Sequence, residues 1–184
     1  MEKTEAGAVQ IRLLRAQEVI QHLGQLVEVL QDAVDGGASL GFLPPLAYSE
    51  ALEYWMSVRD AAAGEQRLVL AAFEGERMLG TVQLDLEKRR NGPHRAEVMK
   101  LCVHSRARRR GFGLLLMLRA EEIARDKGRT LLVLDTRRDD DAERLYRRMG
   151  YDCAGIIPRY ALGADGRLHD TVFLYKELAR EVAP

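Results

Sequence analysis

Residues 106–113 read RARRRGFG, four arginines and two glycines in eight positions. The run lies between an apolar stretch ending at Val103 and an apolar stretch that begins at Gly113 and keeps helical spacing. A helix start leaves its first N–H groups without partners and carries partial positive charge. A glycine-containing loop leading into one lets those N–H groups approach an anion. Gly111 and Gly113 permit a close approach, because a Cβ would crowd a pyrophosphate, and the arginines add charge at the rim. The chemistry indicated is the binding of a phosphate-bearing ligand. The pattern is neither the GxxxxGK[ST] of nucleotide P-loops nor the GxGxxG of dinucleotide folds, which would also need an acidic ribose partner. A plain strand-to-helix turn is the competing reading. A solvated charge run would have no use for two glycines at a helix start.

The elements around this loop follow one another closely. Residues 9–14 read as a strand and 17–34 as a helix, with Val19, Ile20, Leu23, Leu26, Val27, Leu30 and Val34 at helical spacing. Gly36 and Gly37 stop it. After the loop GGASLGFLPP, Ser49 is placed to cap a helix over 50–63. Strands at 67–73, 78–86 and 96–103, joined by tight polar turns, form an antiparallel meander. A helix then runs to Gly128. The apolar strand 130–136 has the look of one buried on both faces. Asp140 and Glu143 form a capping box for a helix through Met149. Two strands, 151–160 and 171–178, close the chain around the turn GADGR. The strand–helix–strand unit over 98–136 makes its two strands parallel. The expectation is an α/β fold, a mixed and largely antiparallel sheet of about seven strands with helices on both faces.

The 184 residues suit one domain over 1–184. Twenty-eight basic residues balance 28 acidic ones, which argues against nucleic acid as a general partner. No apolar run is long enough to span a membrane. The segment MEKTEAGAVQ has no apolar signal core, so a cytoplasmic protein is expected. Cys102 and Cys153 lie in apolar runs and read as reduced core thiols. His94, His104 and His169 lack metal-ligand spacing and read as surface or loop residues; no metal is expected.

Arg108-x-x-Gly111-x-Gly113 resembles the acetyl-CoA motif Q/R-x-x-G-x-G/A of the GNAT acetyltransferases. The segment AERLYRRMGY (142–151) is similar to that family's later motif, and the order of elements matches along nearly the whole chain. The stretches GGASLGF, NGPHRAEVMKL, LDT and DGRLH resemble, more narrowly, the tabtoxin resistance protein acetyltransferases, which inactivate a small β-lactam amino-acid toxin. The resemblance implies a GNAT fold with a splayed parallel strand pair, acetyl-CoA as cosubstrate and no metal. It implies that backbone N–H groups of Arg109, Arg110, Gly111, Phe112, Gly113 and Leu114, with Arg108 opening the motif, bind the pyrophosphate. It places the pantetheine arm along Leu101, Cys102 and Val103, with the Val103 N–H toward the thioester carbonyl.

Acyl transfer to an amine poses two proton problems: the amine must lose one, and the leaving thiolate takes one. The resemblance implies Tyr146 as the acid; packing alone is its structural alternative. Glu97 is the first candidate for the base, six residues before Val103 and so expected on that residue's strand face. Its alternative is a surface carboxylate paired with Arg95 or Lys100. Asp135 is the second carboxylate, to relay a proton or hold the substrate ammonium; a cap before the next helix is the alternative. Phe42, Trp55 and Tyr160 are expected to wall the substrate, with Tyr48 and Tyr54 as further aromatics. The acceptor expected is a small primary amine, amino-acid-like or toxin-like. Protein N-terminal or lysine acetylation and a non-catalytic acetyl-CoA-binding module remain open beside it. The final strands often mediate dimers in this family, which leaves a homodimer open.

Overall fold

The structure, a computed structural model, describes residues 8–178. The expected domain therefore has residues 1–7 and 179–184 outside the described part. Elements run in the order β1 (Val9–Leu14), α1 (Ala16–Gln21), α2 (Leu23–Asp35), α3 (Tyr48–Ala63), β2 (Arg67–Glu74), β3 (Arg77–Leu86) and β4 (Arg95–Val103). A 3₁₀ turn, Ser105–Ala107, then leads to α4 (Phe112–Asp126), β5 (Leu131–Arg137), α5 (Asp141–Arg148), β6 (Asp152–Leu162) and β7 (Leu168–Glu177). All seven strands join one sheet in the order β1-β2-β3-β4-β5-β7-β6. Every neighbouring pair is antiparallel except β4 with β5, which is parallel, as the strand–helix–strand unit requires. No described helix is long and apolar enough to cross a membrane.

Alternation along the strands builds two cores. Leu84, Val98 and Leu132 face α4, where they meet Leu116, Met117 and Ala120. Val69, Ala71 and Phe73 face the other way and meet Leu26 and Leu30 of α2 and Trp55 of α3. The expected single helix over 17–34 is divided at His22, whose backbone leaves helical geometry (φ −101, ψ 12) while its ring packs 5.1 Å from that of Phe73. Ser49 does not cap α3. The helix starts two residues earlier than expected, at Tyr48 with Ala47 as N-cap and no side-chain cap bond. Asp140 does cap α5, accepting from the N–H groups of Ala142 and Glu143. The Glu143 carboxylate reaches back to the Asp139 N–H, one residue beyond the expected capping-box partner. Strand β6 is exposed along almost its whole length, because no described helix covers the sheet there. Cys153 is consequently exposed, contrary to the core position expected of it, whereas Cys102 is buried.

Two irregularities in the middle of the sheet matter most. The parallel ladder holds only at Arg95–Leu131, Ala96–Leu132 and Glu97–Val133, after which β4 and β5 part. Against β3, Lys100 and Leu101 together oppose Val82, a β-bulge, and Lys100 takes φ 52. One extra residue reverses the alternation beyond it.

Candidate active site

The bulge decides which side chains meet. Before it, Glu97 pairs with Asp85 and so points to the α1–α3 face; beyond it, Val103 pairs with Gly80 and points to the α4 face. Glu97 and Val103 therefore lie on opposite faces. The even spacing that placed them together in the sequence is overturned by the inserted residue. Asp135 replaces Val103 as the neighbour of Glu97. It stands on β5 two residues past Val133, the rung partner of Glu97, and so on the same face.

Both carboxylates reach solvent, yet surrounding protein strips part of their hydration and raises both pKa values. The negative charges of Asp135 and Asp85 push Glu97 up further, while Arg67 and Lys100 partly offset them. Arg67 is tied to Asp85 through Nε at 3.1 Å. Glu97 also lines a cleft of about 550 Å³ together with Arg67, Asp85, Arg95 and Met99. The ion partner of Arg95 is Glu87, at 2.7 Å, which leaves Glu97 out of the pairing with Arg95 that was its alternative.

Tyr146 lies on the other face, in the α4 core beside Leu134, with its ring 5.7 Å from that of Tyr151. Its hydroxyl has no hydrogen-bond partner among the described residues. Burial holds its pKa far above the ordinary phenol value, and nearby negative charge, Asp135 included, adds to that. Next to it, Leu145 closes on the start of α4: a Cβ on Gly113 would come 3.3 Å from the Leu145 side chain and 3.7 Å from that of Val103.

At the start of α4, Gly111 is the N-cap with φ 85 and ψ 0. Its Cβ would meet nothing within 4 Å, so the left-handed conformation, and not crowding by the protein, demands glycine here. Arg109 also takes positive φ, 61°. The first helical bond of this region is Leu115 N–H to the Gly111 carbonyl. The N–H groups of Arg109, Gly111, Phe112, Gly113 and Leu114 have no partner among the described residues, whereas that of Arg110 donates to the Ala107 carbonyl. Five unpaired amides at one helix start suit a pyrophosphate. The side chains behave differently from one another. Arg110 pairs with Glu74 and lies over the Phe112 ring. Arg108 Nε donates to the Val103 carbonyl at 3.4 Å. Arg109 is exposed. Phe112 is buried in the α4 core, and Leu114 is exposed.

Leu101 and Val103 pack half-buried against the α4 core, and Cys102 faces α2 and α3. Burial pushes the Cys102 thiol up to about 12, so it stays protonated. His104 donates its backbone N–H to the Leu79 carbonyl on β3. Strand groups alternate, so the Val103 N–H turns to the edge facing β5, beyond the last parallel rung. His104 lies in the loop after β4, one of the two placements expected, but it is buried: it is 5% exposed, with Glu28 at 3.4 Å and Asp32 at 3.6 Å from its ring nitrogens. Its Nδ1 accepts from the Arg106 N–H, and Asp32 accepts from Ser105, which ties the cradle to α2. No metal-holding group occurs among the described residues.

The aromatic residues sort by face. Trp55, expected to touch substrate, is 1% exposed and belongs to the α2–α3 core. Tyr54 takes the outward position, edge-on to Phe42 at 5.4 Å, with its hydroxyl on Gln83 Oε1 at 3.1 Å. Tyr160 stacks edge-on against Phe173, the register partner of Asp135, at 5.8 Å. Three residues of this face were not singled out from the sequence as site residues: Lys100, Gln83 and Arg137. Lys100 Nζ donates to the Leu40 carbonyl and Arg137 to that of Gly37, so one cation from each parted strand holds the loop 37–42 over this face. A lysine inside AEVMKLCV and a glutamine inside MLGTVQLDL were the available signals.

Residues 39–151 match the model of the acetyltransferase (GNAT) family. Among solved structures, the chain is similar to an acetyltransferase from Salmonella typhimurium described with its cofactor acetyl-CoA (TM-score 0.73, 19% identity, 97% of this chain and 98% of that one). It is similar to ribosomal-protein-alanine N-acetyltransferase from Brucella melitensis (0.73, 21%, 92% and 99%). It is also similar to a protein described as a phosphinothricin N-acetyltransferase (0.76, 20%, 94% and 99%). At these identities the likeness is one of fold.

Proposed function

This chain belongs to the acetyltransferase (GNAT) family, and from that premise we propose that it uses acetyl-CoA to acetylate the nitrogen of a small primary amine. The observation that carries the reading is the set of five amides at the start of α4 without a partner among the described residues, beside two strands that part. Acetyl-CoA supplies the activated acetyl group and the pyrophosphate that this cradle fits. The Gly111 turn and the amides of Arg109 and Phe112–Leu114 hold the pyrophosphate. The Val103 N–H, turned toward β5, donates to the carbonyl oxygen on which negative charge develops.

In the transfer a C–N bond forms and a C–S bond breaks. Asp135 holds the substrate ammonium, Glu97 takes one of its protons to free the attacking amine, and the second, shed by the nitrogen once the C–N bond has formed, returns through solvent to Tyr146. Tyr146, protonated at any physiological pH, gives its proton to the thiolate sulfur. Base and acid work from opposite faces of the sheet, so the attacking and leaving groups meet them from opposite sides. The loop 37–42, held by Lys100 and Arg137, covers the acceptor side and favours a compact amine over an extended peptide.

The narrower resemblance, to tabtoxin resistance acetyltransferases, adds amino-acid-like toxins to the acceptors worth trying. We place the protein in the cytoplasm. The apolar side chains exposed on β6, Ile156 and Ile157 among them, support a homodimer. Release of CoA thiol from acetyl-CoA, measured over a panel of small amines and of peptides with free N-termini or lysines, tests the reading. Turnover of small amines supports it. Turnover of peptides alone replaces it with protein acetylation, and acetyl-CoA binding without release on any acceptor leaves a binding module.

A further inference from the structure

A buried histidine holds the connection between β4 and the cradle. His104 follows the last residue of β4 and caps the 3₁₀ turn Ser105–Ala107. Its Nδ1 accepts from the Arg106 N–H at 3.2 Å. Its backbone N–H donates to the Leu79 carbonyl, and its carbonyl accepts from the Ala107 N–H. Asp32 of α2 accepts from both the N–H and the hydroxyl of Ser105, at 2.6 and 2.7 Å. The turn passes this order on to the cradle, because the Arg110 N–H donates to the carbonyl of Ala107, which is itself fully buried. A shift of the turn therefore moves the amides that follow it.

The acceptor role of Nδ1 fixes the state of the ring. A nitrogen that accepts from an N–H carries no proton, so the neutral ring has its proton on Nε2, which faces Glu28 at 3.4 Å. Protonation adds an N–H on Nδ1, and it would meet the Arg106 N–H donor against donor. Two groups could take the new proton instead: Ser105 Oγ at 3.4 Å and Asp32 Oδ1 at 3.6 Å. Both belong to the pair that anchors the turn, so either exchange removes bonds from it. The charged groups facing the ring are Glu28 and Asp32 of α2, with Arg77 of β3 on Glu28 at 3.2 Å and Arg106 in the turn itself. The ring also lines a cleft of about 440 Å³ with Glu28, Asp32, Tyr48 and Arg106, which gives protons a route from solvent.

Resting on the acetyl-CoA reading above, we infer that His104 is a positioning residue for the phosphate cradle, and that protonation of its ring loosens the cradle and weakens acetyl-CoA binding on the acid side of neutrality. Histidine is the side chain that changes charge in the physiological range. The neutral ring caps the turn and keeps the amides of Arg109 to Leu114 converged on one anion. The charged ring gives up the cap, and the amides lose their common focus.

The experiment measures acetyl-CoA affinity by calorimetry, without acceptor, from about pH 8 to about pH 5.5. It compares wild type, His104→Asn and His104→Leu. Asparagine offers an oxygen that caps as Nδ1 does but does not titrate, and leucine offers neither. The ligand's own phosphate titrates near pH 6, equally in all three proteins, so the differences between proteins carry the result. His104→Leu should bind about three- to tenfold more weakly at about pH 8, and His104→Asn should recover most of that loss. On acidification the wild type should lose about three- to tenfold more affinity than His104→Asn does. Equal pH dependence in those two proteins overturns the inference and makes His104 a packing residue. So does an asparagine variant as weak as the leucine one at about pH 8. Should the variants fail to fold, the imidazole titration of His104 in wild type, followed by NMR, decides. Binding and protonation are reciprocal, so acetyl-CoA should move that titration to lower pH; an unmoved titration overturns the inference. If acetyl-CoA binds at no pH, the acetyl-CoA reading falls, and this inference with it.

Discussion

Glu97 on β4 and Tyr146 on α5 lie on opposite faces of the sheet, near the place where β4 and β5 part. An acetyl group held between the two strands would have the proton acceptor on one side and the proton donor on the other. That geometry assigns each residue a separable kinetic signature.

Tyr146→Phe should lower kcat by roughly ten- to a thousandfold, since the thiolate would then leave without its proton donor. The hydroxyl has no partner among the described residues, so its removal costs no hydrogen bond. Stability should change by less than about 1 kcal/mol, and acetyl-CoA affinity should hardly move. Rates, calorimetric binding and thermal unfolding on one preparation check all three. An unchanged kcat removes Tyr146 from the mechanism.

The carboxylate pair gives a signed pH dependence. A base works ionised, and the pKa of Glu97 is raised, so kcat/KM should fall as pH drops through a point above the ordinary glutamate range. Asp135→Asn removes a negative neighbour, lowers the Glu97 pKa and should move this acid limb to lower pH. Lys100→Met removes a positive neighbour and should move it to higher pH. Profiles of kcat/KM for the three proteins test the signs. A limb unmoved by either substitution would mean that another group titrates.

Much of the fold around this site was legible in advance, and the exceptions share a cause. The order of elements, the parallel pair and the glycine loop follow from local patterns: apolar periodicity, turn residues and a strand–helix–strand unit. The bulge at Lys100 left no comparable mark. Counting residues along AEVMKLCV puts Glu97 and Val103 on one face, and a single inserted residue reverses that. Trp55 and Tyr54 are adjacent aromatics on one helix, and only the sheet beneath α3 decides which is buried. Cys153 reads as apolar until the sheet order leaves β6 at an uncovered edge. Lys100 and Arg137 are remote in sequence from the loop they hold.

Gly111 should respond to substitution in two distinguishable ways. Its φ of 85° costs an ordinary L-residue about 1–2 kcal/mol, so Gly111→Val should destabilise the protein by about that much. Asparagine tolerates the left-handed region better, so Gly111→Asn should cost less. Both add a Cβ that meets no protein atom, so any loss of acetyl-CoA affinity common to the two comes from the ligand side. Thermal unfolding and calorimetric titration with acetyl-CoA separate the effects. Full affinity in both variants would place the pyrophosphate elsewhere.

The arginines of the loop should not be equivalent. Arg110 is engaged with Glu74 and lies over Phe112, and Arg108 is turned toward the Val103 carbonyl. Arg109 is exposed and makes no ion pair among the described residues, so its charge is available to a ligand beside the cradle amides. Arg109→Ala should weaken acetyl-CoA binding by about two- to tenfold at low salt. The loss should shrink as salt rises, because exposed charges are screened beyond about 8 Å at physiological ionic strength. Arg110→Ala breaks a surface pair worth about 0–1 kcal/mol and should leave acetyl-CoA affinity near wild type. Titrations at two salt concentrations check the contrast. Equal, salt-independent losses in both variants would show that the arginines act by shaping the loop and not by their charge.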